Sequence, residues 1–152
     1  MEKKEIKIVG LDLDGTLLTD KKELLPYTKK VIAEALQNGT VVLVATGRPW
    51  TGVPEELREL PGMDYALTAN GARIIETRTG KVLEEHLLSK EAAKKAIAIG
   101  RKYDTLLEVY FDGQGYAQKD EIAQVKKYHK NPNMWDYFLR TRIAVDRLED
   151  LL

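Results

Sequence analysis

Two aspartates lie two positions apart at the end of an apolar segment, in the motif D-L-D-G-T of residues 12–16. The preceding residues, 6–11, are mostly apolar and predict a buried β-strand. Side chains alternate along an extended chain, so both carboxylates can face one spot while Leu13 turns into the core. Two carboxylates around one phosphate can divide the chemistry of phosphoryl transfer. Asp12 would attack phosphorus, and Asp14 would protonate the leaving oxygen and then take a proton from water.

Gly15 and Thr16 complete this motif with two further properties. Gly15 lets the backbone come close to a bound group, and the Thr16 hydroxyl can hold a carboxylate or phosphate oxygen. The same residues also fit a simpler hypothesis, in which a strand is followed by an Asp-Gly turn that has no chemical role.

A second motif, A-T-G-R-P, occupies residues 45–49 and follows another apolar run, Val41 to Val44. The stretch between the two motifs has the length of a strand–helix–strand crossover, which predicts parallel strands. Parallel strands place their carboxyl ends at one edge of a sheet, so the two motifs should meet there. Pro49 disfavours helical geometry at Arg48, which predicts that this arginine stands beside Thr46 at the strand end.

Together with the sequence L-T-A-N-G-A at residues 67–72, the two motifs resemble the haloacid dehalogenase-like hydrolase superfamily, and within it the Cof-type sugar-phosphate phosphatase branch. The resemblance implies Mg²⁺-dependent hydrolysis of small phosphate monoesters through an aspartyl-phosphate on Asp12. It also implies that Asp12 and Asp14 hold the metal ion. The residues that it implies for binding phosphate or substrate are Thr16, Thr46, Gly47, Arg48, Asn70 and Gly71.

Four of these residues have more specific expected roles. The resemblance implies that Thr46 binds a phosphoryl oxygen, and that Arg48 and Asn70-Gly71 border the substrate entrance between core and cap. A guanidinium group suits phosphate or sugar hydroxyls at such a place. The simpler alternative makes Arg48 a surface ion-pair partner and Asn70-Gly71 only a turn.

The family's full site also includes a lysine and a G-D-x-x-N-D motif, and neither is found in these 152 residues. The acidic segment at residues 146–150 lacks the glycine and predicts a helix instead. Three hypotheses stay open. The chain is the amino-terminal portion of a phosphatase, a non-catalytic phosphate-binding or subunit-assembly module, or part of a related phosphomutase.

The elements that must position these residues form an α/β fold. Residues 1–70 predict the amino-terminal part of a hydrolase core, a partial open parallel Rossmann-like sheet with three strands. By the resemblance, residues 71–152 form a partial inserted α+β cap. Its predicted elements are hairpins around Thr79-Gly80 and residues 112–115, a helix capped by Ser89, and a helix that begins at Asp120.

The composition limits the classes of partner that we expect this protein to bind. Twenty-four basic residues balance twenty-four acidic ones, which indicates no nucleic-acid or anionic-membrane binding, and there is no cysteine. No apolar stretch reaches bilayer length, and the charged start does not resemble a signal peptide, so we expect a cytoplasmic protein. The expected partner is a small phosphorylated metabolite. An exposed edge beside the first strand and an incomplete cap also predict self-association.

Overall fold

The computed structural model describes residues 5–152, which divide into two compact units between His86 and Leu87. None of the helices in these residues combines the length and the apolar character that a membrane span requires.

The first unit is a five-stranded sheet with helices. In chain order its elements are β1 (Ile8–Leu11), α1 (Pro26–Gln37), β2 (Val41–Ala45), α2 (Glu55–Arg58), β3 (Tyr65–Thr68), β4 (Arg73–Glu76) and β5 (Val82–Glu85). The strands follow one another in sequence order across the sheet. The first three run parallel, and β4 and β5 form an antiparallel hairpin that continues the sheet from β3. The predicted α/β fold with three parallel strands is confirmed.

One face of this sheet carries the core of the first unit. Val42 and Val44 alternate with less buried neighbours along β2, and Ala66 on β3 and Ile75 on β4 lie in register with Val44. Period-two alternation places these side chains on one face, where they pack with Ile32 of α1.

The register aligns the ends of the parallel strands. Leu11, the last residue of β1, lies opposite Val44, and Ala45, the last residue of β2, lies opposite Leu67. The segments that follow these residues therefore leave the sheet at the same edge, as the two sequence motifs require.

The sheet extends beyond the predicted domain boundary. Because β4 pairs antiparallel with β3, residues 73–85 belong to the first compact unit rather than to the second. The proposed division into residues 1–70 and 71–152 stays a prediction about core and cap. The hairpin turn that the sequence predicts is present, with Gly80 in the left-handed region at a φ of 72°.

The opposite margin of the sheet is formed by β1. Among the residues that the structure describes, β1 pairs only with β2, and the side chain of Ile8 is 64% exposed. Ile6, just before the strand, is 67% exposed. This margin therefore combines an edge strand with apolar side chains that face solvent. The prediction of a buried strand over residues 6–11 is wrong, because no residue of Ile8–Leu11 is buried when β1 lies at the margin of the sheet.

The second unit is a smaller α+β layer. Its elements are α3 (Lys90–Gly100), β6 (Glu108–Phe111), β7 (Gln114–Gln118), α4 (Lys119–Ala123), α5 (Val125–Tyr128), α6 (Pro132–Thr141) and β8 (Arg142–Val145). The predicted hairpin is confirmed as β6 and β7, and β8 adds to β7 in parallel. Ser89 caps α3 by accepting a hydrogen bond from the Ala92 amide at 3.2 Å. The helix that the sequence predicts at residues 146–150 is present as a short 3-10 helix at Leu148–Leu151, in which Leu148 is buried.

A buried arginine organises the second unit. The guanidinium of Arg142 donates hydrogen bonds to Glu108 and to the hydroxyl of Tyr110, and it lies over the ring of Tyr137. Burial, with Glu108 nearby, raises the pKa of Tyr110 to about 12. A Cβ on Gly115 would lie 2.7 Å from Cδ of Arg142, so the glycine makes room for this side chain. We treat the cluster as structural because its polar groups satisfy one another.

Candidate functional site

The motif of residues 12–16 forms a tight loop directly after β1. The Leu17 amide donates to the Asp12 carbonyl at 3.2 Å, and the Leu18 amide donates to the Leu13 carbonyl at 2.9 Å. Leu13 and Leu18 are buried in the core, and Gly15 takes the left-handed conformation at a φ of 83°. The loop is anchored by its leucines, and both aspartates are exposed, as the alternation of side chains predicts.

The carboxylate of Asp12 is oriented from within its own loop. The hydroxyl of Thr16 donates a hydrogen bond to Oδ2 of Asp12 at 2.7 Å. Of the two acceptors that the sequence allows for Thr16, a carboxylate or a phosphate oxygen, the structure shows the carboxylate. This contact restricts the rotation of the Asp12 carboxylate about its terminal bond.

The carboxylate of Asp14 is held by two cations. Arg48 binds it with two hydrogen bonds, from Nε to Oδ2 and from Nη2 to Oδ1, both at 2.7 Å. Lys22 Nζ also donates to Oδ1 at 2.7 Å. Hydrogen bonding to Arg48 is the largest influence on the pKa of Asp14. Burial opposes this influence, Lys22 adds to it, and the pKa falls to about 2.

This arrangement predicts acid sensitivity. A carboxyl whose folded-state pKa is depressed stabilises the fold above its unfolded pKa, here 3.8, and loses that contribution as the pH falls toward about 2. We therefore expect wild type to unfold less readily than Asp14→Asn at pH 7. The difference in denaturation midpoint should shrink between pH 4 and pH 2. A difference that stays constant over this range would show that ionisation of Asp14 does not stabilise the fold.

Arg48 is placed by the loop that follows β2. Its side chain is buried, and Nη1 donates to the Gly52 carbonyl at 2.8 Å. The Arg48 amide donates to Oγ1 of Thr46 at 3.2 Å, so the predicted neighbourhood of these two residues is present. Pro49 has an extended ψ of 161° and is followed by a 3-10 turn at Trp50–Gly52. This turn aims the Gly52 carbonyl at the guanidinium.

The loop after β3 is hydrogen-bonded to the loop after β2. The Ala69 amide donates to the Arg48 carbonyl at 3.0 Å, and the Asn70 amide donates to the Thr46 carbonyl at 3.1 Å. Both donors have left-handed backbones, with φ of 50° at Ala69 and 57° at Asn70, followed by 91° at Gly71. Non-glycine residues rarely adopt this region, so the turn is a strained one.

Gly47 leaves space for the Asn70 side chain. A Cβ at position 47 would lie 2.6 Å from Oδ1 of Asn70, which is closer than Cβ atoms come to other atoms. The absence of a side chain at Gly47 therefore lets the two loops pack together. Thr46, Gly47, Arg48 and Asn70 form one interlocked group, joined to Asp14 through the arginine, while Asp12 and Thr16 form a second pair on the neighbouring loop.

Lys22 also belongs to this site, although no sequence motif indicates it. Lys22 follows Asp14 by eight positions, and it reaches back because residues 19–23 form a turn in which its own φ is 65°. The pair Lys21-Lys22 in the sequence does not indicate which lysine turns inward. Only the folded loop shows that Lys22 does.

Two oxygen donors for a cation are present on the first loop. They are the Asp12 carboxylate and the main-chain carbonyl of Asp14, and hard cations such as Mg²⁺ prefer oxygen ligands. The Asp14 carboxylate is occupied by Arg48 and Lys22. Across residues 5–152 no three His, Cys, Asp or Glu side chains converge at metal-ligand distances. The donor chemistry fits a cation that completes its shell with water or substrate.

The sequence is similar to those of known proteins. The model of the haloacid dehalogenase-like hydrolase family matches residues 9–147. A protein of Buchnera aphidicola subsp. Baizongia pistaciae is 30% identical over 124 residues, which are 80% of this chain and 45% of that protein. The 5-amino-6-(5-phospho-D-ribitylamino)uracil phosphatase of Bacillus subtilis is 31% identical over 101 residues, which are 66% of this chain and 40% of that enzyme.

Solved structures agree on the fold. A haloacid dehalogenase-like hydrolase from B. subtilis superposes with a TM-score of 0.77 at 20% identity, over 97% of this chain and 56% of that one. The chain thus spans about half the length of that solved structure and less than half the length of both sequence relatives. The family match covers nearly all of the chain, including both interlocked loops and the aspartate motif. The chain belongs to the haloacid dehalogenase-like hydrolase family.

Proposed function

We propose that the whole protein hydrolyses small phosphate monoesters, with Asp12 as nucleophile and Asp14 as acid and base. This proposal rests on one observation, that two carboxylates on the same loop have different hydrogen-bond partners. Asp12 is oriented by a neutral hydroxyl, whereas Asp14 is held by two cations. A nucleophile and an acid–base group need such different environments.

The proposed reaction has two steps. In the first, an oxygen of Asp12 bonds to phosphorus while the ester oxygen leaves with its electron pair and takes a proton from Asp14. In the second, water attacks the aspartyl-phosphate, Asp14 takes the water proton, and the bond between Asp12 and phosphorus breaks. Since Arg48 and Lys22 favour the ionised form of Asp14, the first step requires that one of these contacts weakens when substrate is bound.

Mg²⁺ is the proposed cofactor, held by the Asp12 carboxylate and the Asp14 carbonyl. When bound, it would neutralise negative charge on the transferring phosphoryl group. The protein groups that we propose to contact the phosphoryl group or the remainder of the substrate are Thr46, Gly47, Arg48, Asn70 and Gly71. In the structure Arg48 faces Asp14, so its proposed contact with substrate requires the guanidinium to bridge both.

The name of one sequence relative supports the proposed class of substrate. A small phosphorylated metabolite fits a family relative that is named for the dephosphorylation of a phosphorylated ribitylamino compound. The test is a phosphate-release assay on the whole protein, with a panel of small phosphate monoesters in excess Mg²⁺. We expect release above the buffer rate for at least part of the panel. No release from any member would contradict the proposal and would favour the phosphate-binding module.

For residues 1–152 alone we propose self-association and little turnover. The β1 edge and the exposed side chains of Ile6 and Ile8 offer a surface for another chain. Sedimentation velocity at micromolar concentration should show species larger than a monomer, and Ile8→Lys should reduce them. The matched control is Val31→Lys, which places the same charge at an exposed position on α1. Equal sedimentation of both variants and wild type would exclude this edge as the interface.

A further inference from the structure

We infer that Lys22 is a phosphate-binding residue, which holds Asp14 in the free protein and donates its ammonium hydrogen bonds to phosphoryl oxygens when a phosphate enters. The inference rests on the proposed function and adds a residue to it. It follows from the way in which two cations share one carboxylate.

Lys22 is not needed to satisfy the hydrogen-bonding capacity of Asp14. Arg48 alone reaches both oxygens of the carboxylate, in the two-pronged geometry that suits this pair. Lys22 adds a second donor to Oδ1, which already accepts from Arg48. A second cation on an already paired carboxylate is available for another anion.

Of the two cations, Lys22 is the one that can move. The Arg48 side chain is 7% exposed and is also fixed by the Gly52 carbonyl, whereas the Lys22 side chain is 20% exposed. A lysine ammonium is a point charge on a flexible stem, and it keeps its donors while it swings. Lys22 can therefore turn to an incoming phosphate while Arg48 keeps Asp14 in place.

The backbone at Lys22 is held in an unusual conformation. The turn is closed by hydrogen bonds from the Lys22 amide to the Thr19 carbonyl at 2.8 Å and from the Thr19 amide to the Glu23 carbonyl at 3.0 Å. Lys22 sits in this turn with a φ of 65°, a conformation that glycine would adopt without strain. A lysine held in an unfavourable backbone indicates that its side chain is used.

The charges of the site also favour a mobile cation. Asp12, Asp14, Arg48 and Lys22 carry two negative and two positive charges, so the four residues together are neutral. A phosphate adds negative charge next to Asp12, and a cation of this group can offset part of it. Transfer of Lys22 from Asp14 to the phosphate supplies that cation without moving the buried arginine.

The experiment measures binding of inorganic phosphate to the 152-residue chain at pH 7 by NMR titration of the backbone amides. The informative signals are those of residues 12–18. Lys22→Met should weaken phosphate binding about ten-fold, because a charge-assisted hydrogen bond is lost. Lys22→Arg should restore affinity to within about two-fold of wild type, because it retains a cationic donor.

Lys21→Met is the matched control. It removes the same charge from the adjacent, exposed position, so it separates a general loss of positive potential from a specific contact. We expect wild-type affinity for this variant. Methionine at position 22 keeps an unbranched non-glycine side chain in the same strained turn, so thermal unfolding of Lys22→Met should report only the loss of the ion pair.

Three outcomes would overturn the inference. The first is that wild type and Lys22→Met bind inorganic phosphate with equal affinity. The second is that Lys21→Met and Lys22→Met weaken phosphate binding equally. The third is that added phosphate does not shift the amide signals of residues 12–18. All three are independent of turnover. The proposed function fails on a different measurement, the absence of phosphate release by the whole protein, so the two failures are distinguishable.

Discussion

Asp12→Asn in the whole protein is expected to lower the rate of phosphate release by at least about a thousandfold, because a carboxamide cannot act as the nucleophile. The fold should survive the change. The amide oxygen of asparagine can accept the hydrogen bond that Thr16 donates to Asp12 at 2.7 Å. The loss should therefore fall on turnover and not on stability, and steady-state kinetics together with a denaturation curve measure both.

Asp20→Asn provides the control for this variant. Asp20 lies in the same connection between β1 and α1, is exposed, and loses the same charge when it is replaced. We expect it to retain turnover within about two-fold of wild type, in keeping with a surface substitution. Near-wild-type release by Asp12→Asn would show that another residue attacks phosphorus. An equal loss of phosphate release in both variants would show that the effect comes from the loss of a negative charge in this connection and not from the loss of a nucleophile.

Arg48→Met is expected to destabilise the 152-residue chain by about 2 kcal/mol. The change removes the hydrogen bonds that the buried guanidinium donates to the Asp14 carboxylate and to the Gly52 carbonyl. The value lies below that of a fully buried pair because the Asp14 side chain is 39% exposed and retains Lys22. Urea denaturation measures the change in the free energy of unfolding.

Arg58→Met is the matched control for the loss of arginine. Arg58 is exposed and donates from Nε to the Val53 carbonyl at 3.1 Å, without a buried carboxylate partner in the described contacts. We expect its cost to stay below about 0.5 kcal/mol. Equal midpoints for Arg48→Met and Arg58→Met would mean that the pairing of Arg48 with Asp14 contributes no more than a surface contact.

Local patterns in the sequence determine the architecture of the first unit. The apolar run before Thr46 alternates in burial as a strand does, whereas the run before Asp12 alternates only between exposed and half-buried residues because β1 lies at the margin of the sheet. The length of the segment between the two runs predicts a parallel pair. These features can be read from the sequence because they depend on residues that are close together in the chain. They also place the two motifs at one sheet edge, which the register confirms.

The end of the first unit could not be predicted in the same way. The sequence indicates the hairpin around Gly80, but it does not show that β4 pairs with β3 and so extends the sheet. Nor does it show that β8 joins β7 in parallel. A hairpin is specified by a turn and its flanking residues, whereas the strand that lies beside it is chosen by long-range packing.

The same distinction between local sequence signals and long-range packing applies to the candidate site. The sequence by itself determined which residues stand at the strand ends, namely Asp12, Asp14, Thr46 and Arg48, because each follows directly from a strand. Only the tertiary structure decided the partner of each side chain. Arg48 turns to Asp14, thirty-four positions earlier, and Lys22 returns to the same carboxylate through a left-handed turn. Such contacts depend on how loops fold back and on strained backbone angles, which the surrounding packing imposes and no local pattern encodes.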